Sequence, residues 1–308
     1  MRVAVLGAGG IGGPYGAALA KAGTDVTFVA RGAHLAAIRA NGLRVEGDRG
    51  EIHIRPAKAT DDIAGIGSVD FVLLCVKLWD VESAGAQLRA IVGPGTAVVP
   101  LQNGVDAAER LIPILGQEPV MGGTAFVTGT IAAPGVIRQT GTYQRMTFGE
   151  LDGRLSERGK RLRDLCEAAG FEGVLSPDIM VPIWEKFLLM VPASGLNALT
   201  RVPLGVWRED ADLIALYEAS LRETLAVGLA EGVPLPLDSV DNGMAQMRSM
   251  PAHHTTSMGN DLLRGNRLEL PWFAGKVVEL GRRHDIPTPV NGFIYAALKP
   301  YINGPPAF

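Results

Sequence analysis

The sequence has little cysteine: Cys75 and Cys166 stand far apart and outside any C-x-x-C pattern. That argues against a disulfide framework or a cysteine-ligated metal, and for a reducing compartment. Histidine is also scarce, and the adjacent pair His253-His254 cannot face one ion together from a helix. No metal site is expected. Neither sign of charge dominates: 29 Lys and Arg against 32 Asp and Glu leave a net charge of −3, with no general field to draw nucleic acid or an anionic membrane. There is no long hydrophobic run. The longest mostly apolar segment, Phe187 to Leu199, is broken by Pro192, Ser194 and Asn197 and is too short to span a bilayer. Residues 1–6 already read as a strand, so no signal peptide is expected and the cytoplasm is the expected location. What remains is an ordinary globular balance, 47% hydrophobic and 20% charged over 308 residues, enough for two domains and a large core.

What the chain does have is concentrated in its first 32 residues. An apolar strand, Arg2 to Leu6, runs into Gly7-Ala8-Gly9-Gly10-Ile11-Gly12, then an Ala-rich helical segment, then a second strand ending at Val29. The glycines have the G-x-G-x-x-G spacing. Gly7 allows the tight turn, Gly9 lets backbone approach a pyrophosphate, and Gly12 lets the helix pack on the sheet. The helix N-terminus then offers free N–H groups to that pyrophosphate. Dinucleotides that carry a ribose 2′-hydroxyl are usually held by an acid past the second strand. Here that strand ends in Ala30-Arg31-Gly32. A guanidinium there pairs with a 2′-phosphate, so the pattern reads as NADP rather than NAD.

Further strands fit Leu43–Val45 and Ile52–Ile54 (a hairpin about Gly47-Asp48-Arg49-Gly50), Val69–Val76, Ala97–Leu101, Val120–Phe126, Val136–Gln139 and Arg145–Phe148, with helices from Val81 to Val92 and from Asn103-Gly104 to Leu115. The alternation predicts a doubly wound α/β sheet with some later strands antiparallel. After Glu150 helical periodicity takes over, in segments 156–169, 179–199, 210–231, 238–250, 255–263, 271–284 and 291–297. The expected domains are a Rossmann-like unit over residues 1–176 and an all-α unit over 177–308.

In such sheets ligands bind beyond the carboxyl ends of the strands. Lys77 follows the strand ending at Val76, and Asn103 follows the one ending at Leu101. The alternative for Asn103 is plain N-G turn chemistry. In the helical half, Lys186 sits in Trp184-Glu185-Lys186-Phe187, at the head of a helix apolar nearly all round. A lysine there has either snorkelled out or been kept for chemistry. Pro192 should kink that helix. Ser257 and Asp261 share a helical face, and Glu269 precedes Pro271 at the start of another helix. These residues could hold a polar ligand or could simply cap helices.

Taken in order, Gly7–Gly12, Val29-Ala30-Arg31-Gly32, Cys75-Val76-Lys77, Leu101-Gln102-Asn103-Gly104, Trp184-Glu185-Lys186, Ser257-Met258 and Glu269, then Ile286 to Asn291, resemble the ketopantoate reductase (2-dehydropantoate 2-reductase) family from end to end. The resemblance implies a Rossmann-like NADP-binding domain and a helical domain like that of 6-phosphogluconate dehydrogenases. It implies NADPH-dependent reduction of ketopantoate to (R)-pantoate, a step of pantothenate and coenzyme A biosynthesis. By that resemblance Lys186 is the proton donor, Asn103 positions substrate and nicotinamide, and Arg31 and Lys77 contact NADP together with Gly7, Ala8, Gly9, Gly10, Ile11 and Gly12. Ser257 binds substrate, while Glu269 binds the ribose side of the cofactor and supports Lys186. The partner implied is a small 2-oxo acid, with a homodimer as one arrangement of the chain.

The sequence departs from the family where asparagines are expected four, eight and eighteen residues after the lysine. It has Met190, Ser194 and Leu204 there, and Pro271 where an Asp often follows the Glu. Ser194 can replace part of an amide, and Asn197 falls about 20° from Lys186 on an ideal helix. Two alternatives follow: reduction of a more apolar 2-oxo acid, or a non-catalytic NADP-binding sensor.

Overall fold

The computed structural model describes residues 1–306. The chain divides into two compact units, Met1–Pro182 and Ile183 onward. The second begins six residues after the expected junction at Ser176-Pro177, and each unit has its own core.

The first unit opens with β1 (Arg2–Leu6), α1 (Gly12–Lys21), β2 (Asp25–Val29), α2 (Gly32–Asn41), β3 (Leu43–Gly47), β4 (Ile52–Ile54), β5 (Lys58–Thr60), β6 (Phe71–Leu74), α3 (Val81–Leu88), β7 (Ala97–Pro100) and α4 (Ala107–Leu115). It closes with β8 (Met121–Ala133), β9 (Val136–Glu150), α5 (Glu157–Ala168) and β10 (Glu172–Leu175). One sheet is entirely parallel, in the order β5-β2-β1-β6-β7. β1, β6 and β7 are apolar and buried on both faces, because both are covered. In β1, Val3 and Val5 join the core on the α1 side, while Ala4 and Leu6 join a second core with Val81, Ala84 and Leu88 of α3 and Leu111 of α4.

The single sheet expected from the sequence is in fact two. β3 leaves the parallel sheet, pairs with β4 and lies parallel to β9, giving the order β10-β9-β3-β4, with β8 antiparallel to β9. Packed between the two sheets, α1 is buried from Gly12 to Leu19. This explains its poor helix formers. A Cβ on Gly13 would lie 2.9 Å from Ile137, and one on Gly16 would lie 2.5 Å from Phe28. Small residues are needed where a helix is squeezed from both sides.

The three short strands expected between 120 and 148 are two long ones forming a hairpin. Its distal half, Thr128–Pro134, is largely exposed on both faces and so carries no apolar alternation. Helix α2 had no counterpart in the sequence reading, although Leu35 and Ile38 are its buried stripe and Gly42, at φ 86°, stops it. The three-residue edge strand β5 had none either.

The second unit contains most of α6 (Met180–Thr200), then α7 (Leu204–Trp207), α8 (Ala211–Ala230), α9 (Ser239–Ser249), α10 (Ser257–Leu263), α11 (Ala274–Arg283) and α12 (Pro289–Leu298). Helix α6 continues through Pro192 to Thr200. The helix expected from Pro271 is a 3-10 turn at Leu270–Trp272 followed by α11, with Phe273 at φ −107°, ψ −105° between them. Leu188, Leu196, Leu204, Trp207, Tyr217, Leu221 and Met244 form the unit's core. Buried Glu223 of α8 caps α12 from outside, accepting the N–H groups of Val290 (2.8 Å) and Asn291 (2.9 Å) and the Asn291 amide (2.7 Å).

Candidate active site

In the first unit, the glycine loop follows β1 directly. Gly7 is at φ 96°, and a Cβ on it would sit 2.7 Å from the Cys75 carbonyl oxygen. On Gly12, a Cβ would sit 2.2 Å from the Gly7 oxygen and 2.7 Å from Val5. Both glycines are demanded by the fold. Gly9 is not: a Cβ there would meet only Ile131, at 3.9 Å. Packing does not require a glycine at Gly9, and the backbone there leaves room for close approach of a ligand. Gly10, a variable position of the fingerprint, lies so close to β8 that a Cβ would fall 2.0 Å from the Gly129 oxygen.

The loop's own N–H groups point to the same ligand. Those of Gly7 and Ala8 are taken up by the Val29 carbonyl, at 3.1 and 3.2 Å, and that of Gly13 by the Gly9 carbonyl at 2.8 Å. Among the described residues, the N–H groups of Gly9, Gly10, Ile11 and Gly12 donate to no protein acceptor. Four unpaired donors at the start of a helix fit a dinucleotide pyrophosphate.

Around this loop, Arg31 is exposed and is the extended residue preceding α2, at the tip of β2. Lys77 is exposed beyond β6, with its ammonium 5.5 Å from the Trp79 ring centroid. Asn103 is half-buried beyond β7. Its neighbour Gln102 donates to the carbonyls of Leu74 (2.9 Å) and Val76 (3.1 Å), tying the ends of β6 and β7 together. The sequence reading missed His34 of α2, which contacts the Ala8 carbonyl at 2.8 Å. Its signal was weak, a lone histidine on an unassigned stretch.

In the second unit, α6 and the segment before α11 carry the titratable pair. Trp184 packs edge-on against Phe187 at 5.5 Å between centroids, and Phe187 against Phe273 at 6.5 Å. This packing draws the head of α6 to the 3-10 turn that Glu269 precedes. Burial lowers the Lys186 ammonium to about 8, while the nearby Glu269 carboxylate pulls it upward. Glu269 is 6% exposed, and its side chain makes no capping bond to the turn it precedes. The capping alternative therefore does not explain it.

The expected substrate residues separate. Met190 and Ser194 lie one and two turns beyond Lys186 on its face of α6. Met190 is half-buried; Ser194 is 1% exposed, and its Oγ has no hydrogen-bond partner among the described residues. Leu204 is 3% exposed in the core beside Trp207. Asn197 is committed elsewhere. Its Oδ1 accepts from the Thr256 N–H (2.8 Å) and hydroxyl (2.9 Å), and its Nδ2 donates to Val202 O (2.8 Å). Ser257 is exposed in the first turn of α10, while Thr256 caps that helix by accepting from the Gly259 N–H at 3.1 Å. Asp261 accepts from Asn266 at 3.0 Å. Among the described residues no group of acidic, histidine or cysteine side chains could hold a metal ion, and no helix is long and apolar enough to cross a membrane.

Comparison with known proteins decides the family. The model of ketopantoate reductase PanE/ApbA matches residues 3–153, and that of its C-terminal part matches residues 178–302. The chain belongs to the ketopantoate reductase family. A 2-dehydropantoate 2-reductase of Mesorhizobium japonicum is 33% identical over 97% of each chain, and one of Halobacterium salinarum is 32% identical over 94% of this chain and 95% of that one. The crystal structure of a PanE/ApbA family ketopantoate reductase from Ralstonia eutropha superposes with a TM-score of 0.90 at 31% identity, covering 98% of both chains. D-mandelate dehydrogenase, solved with NADH and anilino(oxo)acetate, shares the fold at a TM-score of 0.89 and 20% identity, over 98% of both chains. Ketopantoate reductases are NAD(P)-dependent oxidoreductases, and the unpaired N–H groups of the glycine loop suit that cofactor class.

Proposed function

We propose that this chain reduces ketopantoate to pantoate with NADPH. The observation that carries the reading is Lys186, whose ammonium burial brings to about 8 beside the Glu269 carboxylate. A bound reduced nicotinamide supplies hydride to the carbonyl carbon. The chain supplies the rest. As negative charge develops on the ketone oxygen, the Lys186 ammonium stabilises it and gives up a proton, leaving a neutral amine that solvent reprotonates. A lysine near 8 loses that proton far more readily than one at about 10.4, yet remains mostly charged at neutral pH. Glu269 keeps the ammonium from losing its proton too early. In this reading Asn103 orients the substrate and nicotinamide, Ser257 and Ser194 bind the substrate, Lys77 contacts the cofactor, and Arg31 pairs with the 2′-phosphate.

A panel of 2-oxo acids assayed with NADPH and NADH tests this. Ketopantoate with NADPH should give the highest kcat/KM, and Lys186→Ala should abolish turnover without weakening NADPH binding. Equal efficiency with NADH removes Arg31 from the 2′-phosphate. One observation favours a second substrate. Met190 is apolar on the lysine's face of α6 and Leu204 is buried in the core, so neither offers a hydrogen bond. If a branched apolar 2-oxo acid outruns ketopantoate, that second reading replaces the first.

A further inference from the structure

We infer that His34 is the residue that orients the phosphate-binding loop, holding it against the turn of the β8–β9 hairpin. The inference rests on reading the glycine loop as the cofactor site.

The imidazole of His34 is half-buried between two backbone segments far apart in sequence. On one side, the Gly135 N–H approaches Nδ1 at 3.0 Å. A backbone N–H can only donate, so Nδ1 is the unprotonated acceptor. Nε2 therefore carries the hydrogen and donates it to the Ala8 carbonyl oxygen, 2.8 Å away. Both partners are fixed main-chain groups, so a single neutral tautomer satisfies the geometry.

The Ala8 carbonyl belongs to the Ala8–Gly9 peptide. In a trans peptide the C=O and the following N–H point in opposite directions. Anchoring the Ala8 oxygen on His34 turns the Gly9 N–H away from the imidazole and from α2. This is the first of the four loop donors without a protein partner. Without the anchor nothing on the carbonyl side fixes that peptide plane, because among the described residues no other hydrogen bond is made to the Ala8 oxygen.

The hairpin is a firm post. Gly10 and Gly129 are in backbone contact, each leaving the other no room for a Cβ. Gly135 is buried at φ 77° and packs on Ala37 of α2, and its carbonyl accepts from the Arg44 N–H at 2.9 Å. The loop is therefore held at two places, by the Gly10–Gly129 contact and by the His34 bridge. Only the bridge acts on the peptide that presents the Gly9 donor. His34 acts through the loop and is a positioning residue.

The test uses the full chain and binding rather than turnover. NADPH affinity is measured by cofactor fluorescence for wild type, His34→Leu and His34→Gln, together with Tm. Leucine keeps bulk and removes both hydrogen bonds; glutamine keeps a donor. The expected result is about tenfold weaker NADPH binding for His34→Leu and partial recovery for His34→Gln, with Tm lowered for His34→Leu by the unmet Gly135 N–H and kcat at saturating cofactor preserved. If His34→Leu binds within twofold of wild type, or His34→Gln is as weak as His34→Leu, the inference is overturned. Should the variants not fold, ¹⁵N-histidine spectra of wild type decide. An Nε2–H tautomer for His34 supports the bridge, and any other state refutes it. Wild type that fails to bind NADPH or NADH would instead overturn the reading of the loop as a cofactor site.

Discussion

Gly9 and Gly10 are neighbours in one loop with different reasons for lacking a side chain. Gly10 is pinned by the Gly129 backbone, whereas a Cβ on Gly9 would meet only the end of the Ile131 side chain, at 3.9 Å. Gly10→Ala should therefore cost stability, about 1–3 kcal/mol from a Cβ that the backbone of β8 cannot accommodate, seen as a lower urea midpoint. Gly9→Ala should leave that midpoint alone and weaken NADPH binding more than tenfold, since the new methyl occupies the approach of the pyrophosphate (~1.4 kcal/mol per tenfold). Equal effects of the two substitutions on stability would remove the distinction. The same scale governs pH. In the proposed mechanism reduction needs the proton on Lys186, and kcat should then fall as pH rises through about 8. Because Glu269 raises that value, Glu269→Gln should move the alkaline limb to lower pH. A limb that stays in place would rule out the carboxylate as its neighbour.

At the scale of elements, Asn197 carries the sharpest expectation. It ties the end of α6 to Val202 and to the cap of α10 through three hydrogen bonds. Asn197→Ala should lower stability by about 1–3 kcal/mol, leaving buried donors unmet, while KM for the 2-oxo acid stays near wild type. A raised KM at unchanged stability would return Asn197 to the substrate. The residue shows where sequence reading stopped. Helical spacing placed Asn197 near the lysine's face, but not the Thr256 backbone that its amide serves. β1, the glycine loop and α1 were legible because fingerprint spacing and apolar runs are local signals. Lys186 stood out as a lysine in an apolar helix and Glu269 as a carboxylate before Pro271, but their roles came from the family resemblance. Only the exposed distal half of the hairpin was not legible, since an exposed strand has no apolar alternation. The departure of β3 to a second sheet was not legible either, since pairing partners far apart in sequence leave no periodic trace.

For the whole molecule, folding and ligand binding are linked. Saturating NADPH, at about a hundred times its Kd, should add about 2.7 kcal/mol to the stability of the unit that binds it, visible as a raised Tm. Hydrogen exchange should slow at Gly9 to Gly12, whose N–H groups lack partners without ligand. Exchange that slows only elsewhere would move the cofactor off this loop. Acid acts on the same unit through a buried pair. Burial raises the Glu150 carboxyl, but hydrogen bonds from Arg158 (2.7 Å to each oxygen) and Ser156 outweigh it and hold the group below the usual carboxylate range. Its contribution is complete above the unfolded value of about 4.3 and is lost as pH falls through the lower folded one. Arg158→Met should cost about 3–5 kcal/mol at neutral pH by stranding a carboxylate that is 3% exposed.

The hairpin turn also bears on protein engineering. Residues 131–134 are exposed at the tip of two long strands, the kind of place usually chosen for an epitope tag or a fused reporter domain. Here the next residue, Gly135, is the one whose N–H steadies the imidazole behind the phosphate-binding loop. A cassette spliced into this tip should fold and still lose grip on its dinucleotide, whereas one placed after Gly232, where a Cβ meets nothing, should keep it.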